Sequence, residues 1–390
     1  MTSAYGDTHF PINPLEPIDC AFVGCGGIAE QYWGLYATLP QVRVVACLDT
    51  NSSAAERAIS FFAEKTGVTP RNAHSLEEVL ATSATLVLIN TPNHLHMSQA
   101  VAALRAGKDV LLQKPLAGTL HDAAVIVREA ALSGRRCGVY MSYLDNPLIN
   151  ELIGLSQSRS FGRPTKLHGR YMHRGGLLWS QQQQDGQGTW RSSVAQTGGG
   201  VFIQLGVHYI HIFRRLVDSP VRSVYARKAN LYCKHLEGED SASALIEFEN
   251  GVTATLDTAW NSLGEELSCF GTNGSFTFLD NRWLFLDKRD ERSDDHFHKD
   301  TVASAPICHE PVSPSDDQPF NQHRCFIEAL QQGTPVPVSA ESSLEDMCIV
   351  AAFYRSASSN LPVLVQDLRD EALLIVACTE VLETTMTLNN

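Results

Sequence analysis

Basic residues are scarce in this chain. Of its 390 residues 30 are Lys or Arg against 43 Asp or Glu, a formal net charge of −13. Nucleic acids and anionic membranes bind through positive surface, so this balance argues against both as main partners. Paired cysteines are missing as well. The ten cysteines, at 20, 25, 47, 137, 233, 269, 308, 325, 348 and 378, form no CxxC, and several sit inside apolar runs such as "RVVACLD". They read as reduced, buried thiols, not as a disulfide frame or a zinc cluster. No apolar run approaches the roughly twenty residues of a membrane helix. The first eighteen residues, "MTSAYGDTHFPINPLEPI", lack the basic start and apolar stretch of a secretory leader. The expectation is a cytoplasmic protein of more than one domain, because one core seldom serves so long a chain.

What is present is a change of texture near residue 145. From about 18 to 142, short apolar strands ("DCAFVG", "RVVACLD", "TLVLIN", "DVLLQ", "CGVYMS") alternate with helical stretches beginning near Gly27, Ser53, Leu76, His94 and Gly118. That alternation predicts a doubly wound parallel sheet covered on both faces. Downstream, "TKLHGRYMH", "VRSVYARKANLYC", "SALIEFENGVTATLDTAW" and "SCFGTNGSFTFLD" look like half-exposed strands joined by turns at "ENG" and "TNG". The expected organisation is a tail over 1–17, an α/β Rossmann domain over 18–145 and an α+β domain over 146–390. The last carries an open, mostly antiparallel sheet and closing helices at about 318–358 and 368–385. Residues 181–187 and 289–300 read as exposed loops, and no internal repeat is found.

The first chemical motif is "AFVGCGGIAE". Gly24, Cys25, Gly26, Gly27 and Ile28 follow a strand and open a helix. Gly24 suits the tight turn, Gly26 lets backbone approach a pyrophosphate, and small Ala29 lets helix pack on strand. Asp49 closes the second strand, where a carboxylate takes adenosine ribose hydroxyls and repels the extra phosphate of NADP. No arginine follows in "LDTNSS", so NAD is favoured as cofactor, with NADP left open. Thr91, Pro92 and Asn93 sit past the next strand and can line the dinucleotide, since strand ends border the cofactor crevice. His96 either joins that lining or serves as a hydrogen-bonded residue of the helix start. Gln113, Lys114 and Pro115 end another strand. A lysine there, close to a nicotinamide, can act as acid or base; otherwise it is a solvated surface cation.

A second constellation is "GGGVFIQLGVHYIH", 198–211. In a helix Gln204 and His208 share a face, with His211 three residues on. No Cys, Asp or Glu pair accompanies the histidines locally, so no metal site is expected. A core role suits His211. Trp190 and Arg191 in "GTWRSS" offer a flat apolar face for a sugar ring and a forked donor for hydroxyl or acid groups, or are core residues. Tyr143 is an alternative proton donor.

Taken in order, "VGCGGIA", the acid after strand two, "TPNHLH", "GKDVLLQKPLA", "WRSSVAQTGGGVFIQLGVH" and "ALQQGTPVPVSAESSLEDMCIVAAFYRSA" resemble the Gfo/Idh/MocA oxidoreductases over about residues 18–365. The resemblance implies hydride transfer with NAD(P) on sugars, amino sugars or cyclitols, and a homodimer or homotetramer joined through the open sheet. It also implies that His208 accepts the proton of the hydroxyl being oxidised, beside Lys114. Three positions depart from the family pattern: Gln113 stands where a glutamate is usual, Gln204 where an aspartate is usual, and His211 where an aspartate is often found. An oxidoreductase is the leading reading. The alternatives are an NAD-dependent glycosidase or lyase that returns its hydride, and a non-catalytic dinucleotide or sugar sensor.

Overall fold

The computed structural model describes residues 17–159, 161–280, 283–288, 307–309 and 320–377. Residues 1–16 of the tail, the expected loop at 289–300 and the expected helical residues 318–319 and 378–385 lie outside them. Two compact units emerge. One holds residues up to Met141 together with Phe320–Leu344 and the stretch from Leu373; the other holds Ser142–Pro319 and Glu345–Ala372.

The first unit carries β1 (Ile18–Val23), β2 (Val42–Leu48), β3 (Arg71–Ala73), β4 (Leu86–Ile89), β5 (Asp109–Gln113) and β6 (Cys137–Tyr140). They form one parallel sheet in the order β3-β2-β1-β4-β5-β6. Every residue of β1, β4, β5 and β6 is buried, which is why these strands are apolar without alternation. The order reverses between β1 and β4, and ligands of open α/β sheets bind at such a point, off the carboxyl strand ends. The short edge strand β3, "RNA", is too polar for its sequence to announce a strand.

The sequence places the chain after residue 145 in one second domain, and here the structure differs. The helix Asn321–Gln332 completes the core of the first unit with Phe326, Ile327 and Leu330. Gly138 in β6 makes room for it: a Cβ there would lie 2.5 Å from the Phe326 ring. Gln322 then closes on the end of β6, accepting from the Met141 amide and donating to the Met141 carbonyl.

The second unit carries β7 (Pro164–Met172), β8 (Val221–Ala229), β9 (Ser241–Phe248), β10 (Thr253–Ala259), β11 (Gly264–Gly271), β12 (Gly274–Leu279), β13 (Trp283–Lys288), β14 (Ile307–His309) and β15 (Val363–Leu364). They build one sheet, ordered β14-β13-β12-β11-β7-β10-β9-β8-β15. It is antiparallel apart from the β7–β10 pair. One face packs on helices. Gly169 in β7 lets the helix Val207–Val217 approach, because a Cβ there would sit 2.6 Å from Tyr209 and 2.7 Å from Phe213. The other face presents polar side chains with exposed Tyr225, Leu245 and Phe270. The expected loop at 181–187 is corrected in part: Gln181–Gln184 end the helix Gly175–Gln184. Glutamine is a good helix former, so its polarity marks an exposed helix end here.

Candidate active site

In the first unit the predicted cofactor residues gather at the carboxyl ends of β1, β2, β4 and β5. Gly24 has φ +88°, and a Cβ on it would stand 2.8 Å from the Asn90 carbonyl group. Only glycine takes that turn at that distance. Around Gly26 and Gly27 the situation is opposite: a Cβ on either would meet nothing within 4 Å. The loop is thus closed toward the sheet and open outward, as a backbone cradle for a pyrophosphate must be. Ile28 is exposed and Cys25 wholly buried. The Cys25 amide donates to Asp49 Oδ2 at 2.7 Å, and the Asn51 amide donates to Asp49 Oδ1 at 2.8 Å. Asp49 is half-exposed and each of its oxygens keeps capacity for a further donor. It therefore fixes the glycine turn and still presents negative charge where a ribose would lie. These residues fit a dinucleotide.

Thr91 Oγ1 donates to Gln99 Oε1 at 2.6 Å, and Asn93 is buried at the start of the following helix; half-buried Pro92 lies between them. His96 is wholly buried, with Nε2 3.0 Å from the Thr91 carbonyl and Nδ1 3.0 Å from the Pro115 carbonyl. It ties the loop after β4 to the loop after β5, and no ring atom reaches the surface. Burial lowers its pKa, so the neutral ring donates to one carbonyl at a time. Gln113 is buried and accepts the Lys114 amide at 3.1 Å. A side chain folded on its own loop fills the position where the resemblance implies a glutamate. Lys114 follows, half-buried, through a cis bond to Pro115.

In the second unit Gly198 takes φ +84° at the end of the helix Val194–Thr197, while Gly199 and Gly200 answer to packing. A Cβ on Gly199 would meet Tyr354 Oη at 2.0 Å, and one on Gly200 the Glu239 carbonyl oxygen at 2.1 Å. Glu239 then holds the segment. Its carboxylate accepts from the Gly200 amide at 3.1 Å, the Phe202 amide at 3.0 Å and the Tyr354 hydroxyl at 2.8 Å. Burial pushes its pKa up against those donors. The run is helical but not uniformly α. Phe202–Gly206 is a π-turn and the α-helix starts at Val207. Such single π-turns recur at functional sites, and this one seats Gln204 and His208, both buried.

The Tyr143 ring lies 4.8 Å from His208 and 5.0 Å from Tyr171. Tyr209 Oη donates to the Glu265 carboxylate at 3.4 Å. Burial raises the pKa of both Tyr143 and Glu265. His211 turns out to be structural: Nδ1 is 2.8 Å from Asp346 Oδ2, while Arg214 donates to Asp346 Oδ1 at 2.6 Å. Trp190 and Arg191 form a 3-10 turn, with the guanidinium over the Trp190 ring. Sequence reasoning missed Glu239, Glu265 and Asp346. Each meets its partners across 37 to 135 residues, so no local spacing announces them.

The comparisons agree with this architecture. Residues 18–141 match the family described as oxidoreductase family, NAD-binding Rossmann fold, and residues 150–277 match the Gfo/Idh/MocA C-terminal domain. The chain belongs to the Gfo/Idh/MocA oxidoreductases. It is 31% identical over 234 residues to the 1,5-anhydro-D-fructose reductase of Ensifer adhaerens, covering 57% of this chain and 65% of that protein. The D-apiose dehydrogenase of Paraburkholderia graminis is 24% identical over 90% of this chain and 91% of its own length. Among solved structures, levoglucosan dehydrogenase in complex with NADH and L-sorbose superposes with a TM-score of 0.76 at 18% identity, over 90% of this chain and all of that one. The aldose-aldose oxidoreductase from Caulobacter crescentus does so with 0.74 at 20% identity, over the same shares. Among the described residues no helix is long and apolar enough to cross a membrane.

Proposed function

We propose that this protein is an NAD-dependent oxidoreductase that moves a hydride between nicotinamide and a hydroxyl-bearing carbon of a sugar, amino sugar or cyclitol derivative. The observation that carries the proposal is His208: an imidazole buried after a π-turn, against Tyr143, in a chain that also keeps Lys114 at the end of β5. The sugar-directed names of the relatives support the substrate class.

Bound NAD supplies the hydride acceptor, C4 of its nicotinamide. His208 accepts the hydroxyl proton as the substrate C–H bonding pair departs and the C–O bond becomes a carbonyl; that proton passes on to water. Lys114 donates a hydrogen bond to the same oxygen and stabilises its developing charge. Gly24 through Ile28 carry the pyrophosphate, and Asp49 takes the ribose hydroxyls and disfavours NADP. Thr91, Pro92 and Asn93 border the ring end, with His96 and Gln113 holding their loops. Copies of the chain pair through the open sheet face that bears Tyr225, Leu245 and Phe270.

The test is a panel of sugars, glycosides and cyclitols with the purified chain and NAD, following reduced cofactor and product separately. Stoichiometric reduction supports the proposal. Bond cleavage without reduction would replace it with redox-neutral cleavage, and binding without turnover with a sensor. Lys114→Met is expected to lose about 10²–10⁴-fold in kcat/KM while still binding NAD; full turnover would remove the mechanism.

A further inference from the structure

Arg191 differs from the other buried or half-buried arginines of its unit. Arg170, Arg214 and Arg369 each pair with a carboxylate, of Glu266, Asp346 and Glu345. Among the described residues Arg191 makes no ion pair. Its guanidinium carbon lies 4.4 Å from the Trp190 ring centroid and 5.0 Å from that of Trp179. The acids that the neighbouring segment brings in are engaged elsewhere. Glu237 accepts from Ser193 Oγ at 3.1 Å and the Val194 amide at 2.8 Å, and Glu239 holds the glycine segment. Burial lowers the Arg191 pKa, which is the mark of a cation drawn partly out of water without compensation.

Stacking determines what remains available. A guanidinium lying over aromatic rings spends its flat face on them, while the N–H groups point outward in the guanidinium plane as a fork. That fork matches a carboxylate or phosphate, which restores the missing counter-charge. Ser192 Oγ and Trp260 Nε1 are buried with no hydrogen-bond partner, and the Trp260 ring abuts Trp179 at 5.2 Å. The arrangement also connects to the proposed base. A run of ring contacts leads from Trp179 to His173 at 5.8 Å, to Tyr171 at 6.1 Å and to His208 at 6.4 Å. Arg191 therefore stands on the same aromatic wall as His208, several rings away.

We infer that the substrate carries an anionic group, carboxylate or phosphate, remote from the carbon that is oxidised, and that Arg191 is the residue that binds it. The inference rests on the dehydrogenase reading for its substrate but not for its anion site. Two measurements on the whole chain separate them. In the first, inorganic phosphate and acetate are titrated while tryptophan fluorescence is followed. A saturable change is expected in the parent and its loss in Arg191→Met and Arg191→Gln, with both variants checked for parental melting; no saturable change in the parent, or the same change in both variants, overturns the inference. In the second, matched sets of aldose, uronate and sugar phosphate are compared by NAD reduction. The acidic members are expected to exceed the neutral ones about hundredfold in kcat/KM, with that preference collapsing to within threefold in Arg191→Met. A parent that favours neutral sugars overturns the inference and leaves the dehydrogenase intact. Phosphate bound through Arg191 with no sugar oxidised would do the reverse.

Discussion

Substituting alanine at Gly26 and at Gly24 separates cofactor binding from folding. Gly26 has φ −74° and ψ −174°, ordinary for any residue, and its Cβ would enter open space. The apo protein should accordingly melt within about 0.5 kcal/mol of the parent. On the proposed reading a pyrophosphate lies in that space against the backbone. A methyl group in it should weaken NAD at least about tenfold, roughly 1.4 kcal/mol. Gly24→Ala faces the opposite geometry. It must take φ +88° with its Cβ 2.8 Å from the Asn90 carbonyl group, which is backbone and cannot swing aside. Left-handed strain and overpacking together cost roughly 2–4 kcal/mol, a fall of about 5–15 °C at the size of this unit. Scanning calorimetry of the apo proteins and titration calorimetry with NAD read the two quantities. A Gly26→Ala protein that binds NAD like the parent would refute the cradle, and a Gly24→Ala protein that melts like the parent would refute the turn.

Gln204→Asp places a carboxylate four residues before His208, favouring the imidazolium. The acidic limb of the kcat/KM profile should then move up by about one pH unit, and an unchanged limb would show that the two side chains do not communicate. His323 is fully buried against Tyr36, and burial holds its pKa down to about 3. The unfolded chain takes up that proton near pH 6.5, so stability should fall as pH drops from 6.5 toward 3. His323→Leu should flatten the melting temperature against pH over that range; an equal slope would assign the acid sensitivity elsewhere. Leu245→Arg, placed on the open sheet face, should shift the chain to the monomer in light scattering, and an unchanged mass would move the interface off that face.

How much of this was legible in the sequence depended on range. Buried parallel strands must be apolar, and a strand–glycine–helix turn has few spellings, so the first unit was readable up to Tyr140 apart from the polar edge strand β3. Alternation in "SALIEFENGVTATLDTAW" gave the second sheet, because only one of its faces is covered. What stayed hidden were pairings across the chain. The ring nitrogens of His96 face the carbonyls of Thr91 and Pro115, and Nδ1 of His211 faces Asp346; nothing near either histidine in the sequence distinguishes that from catalysis. Nothing local in Val201 to Gly206 announces a π-turn, whose N-terminal end is held by Glu239, packed against Gly200.

The return of Asn321–Gln332 to the first sheet bears on how the protein is made. A ribosome that has finished β6 has built every strand of the dinucleotide-binding sheet, yet Gly138 still faces the gap that the Phe326 ring will occupy. About 180 more residues must be synthesised before that ring arrives. The nascent nucleotide fold waits with an apolar socket uncovered while every strand of the second sheet but its edge strand β15 is made, and a fragment cut after residue 145 should be sticky and slow to settle.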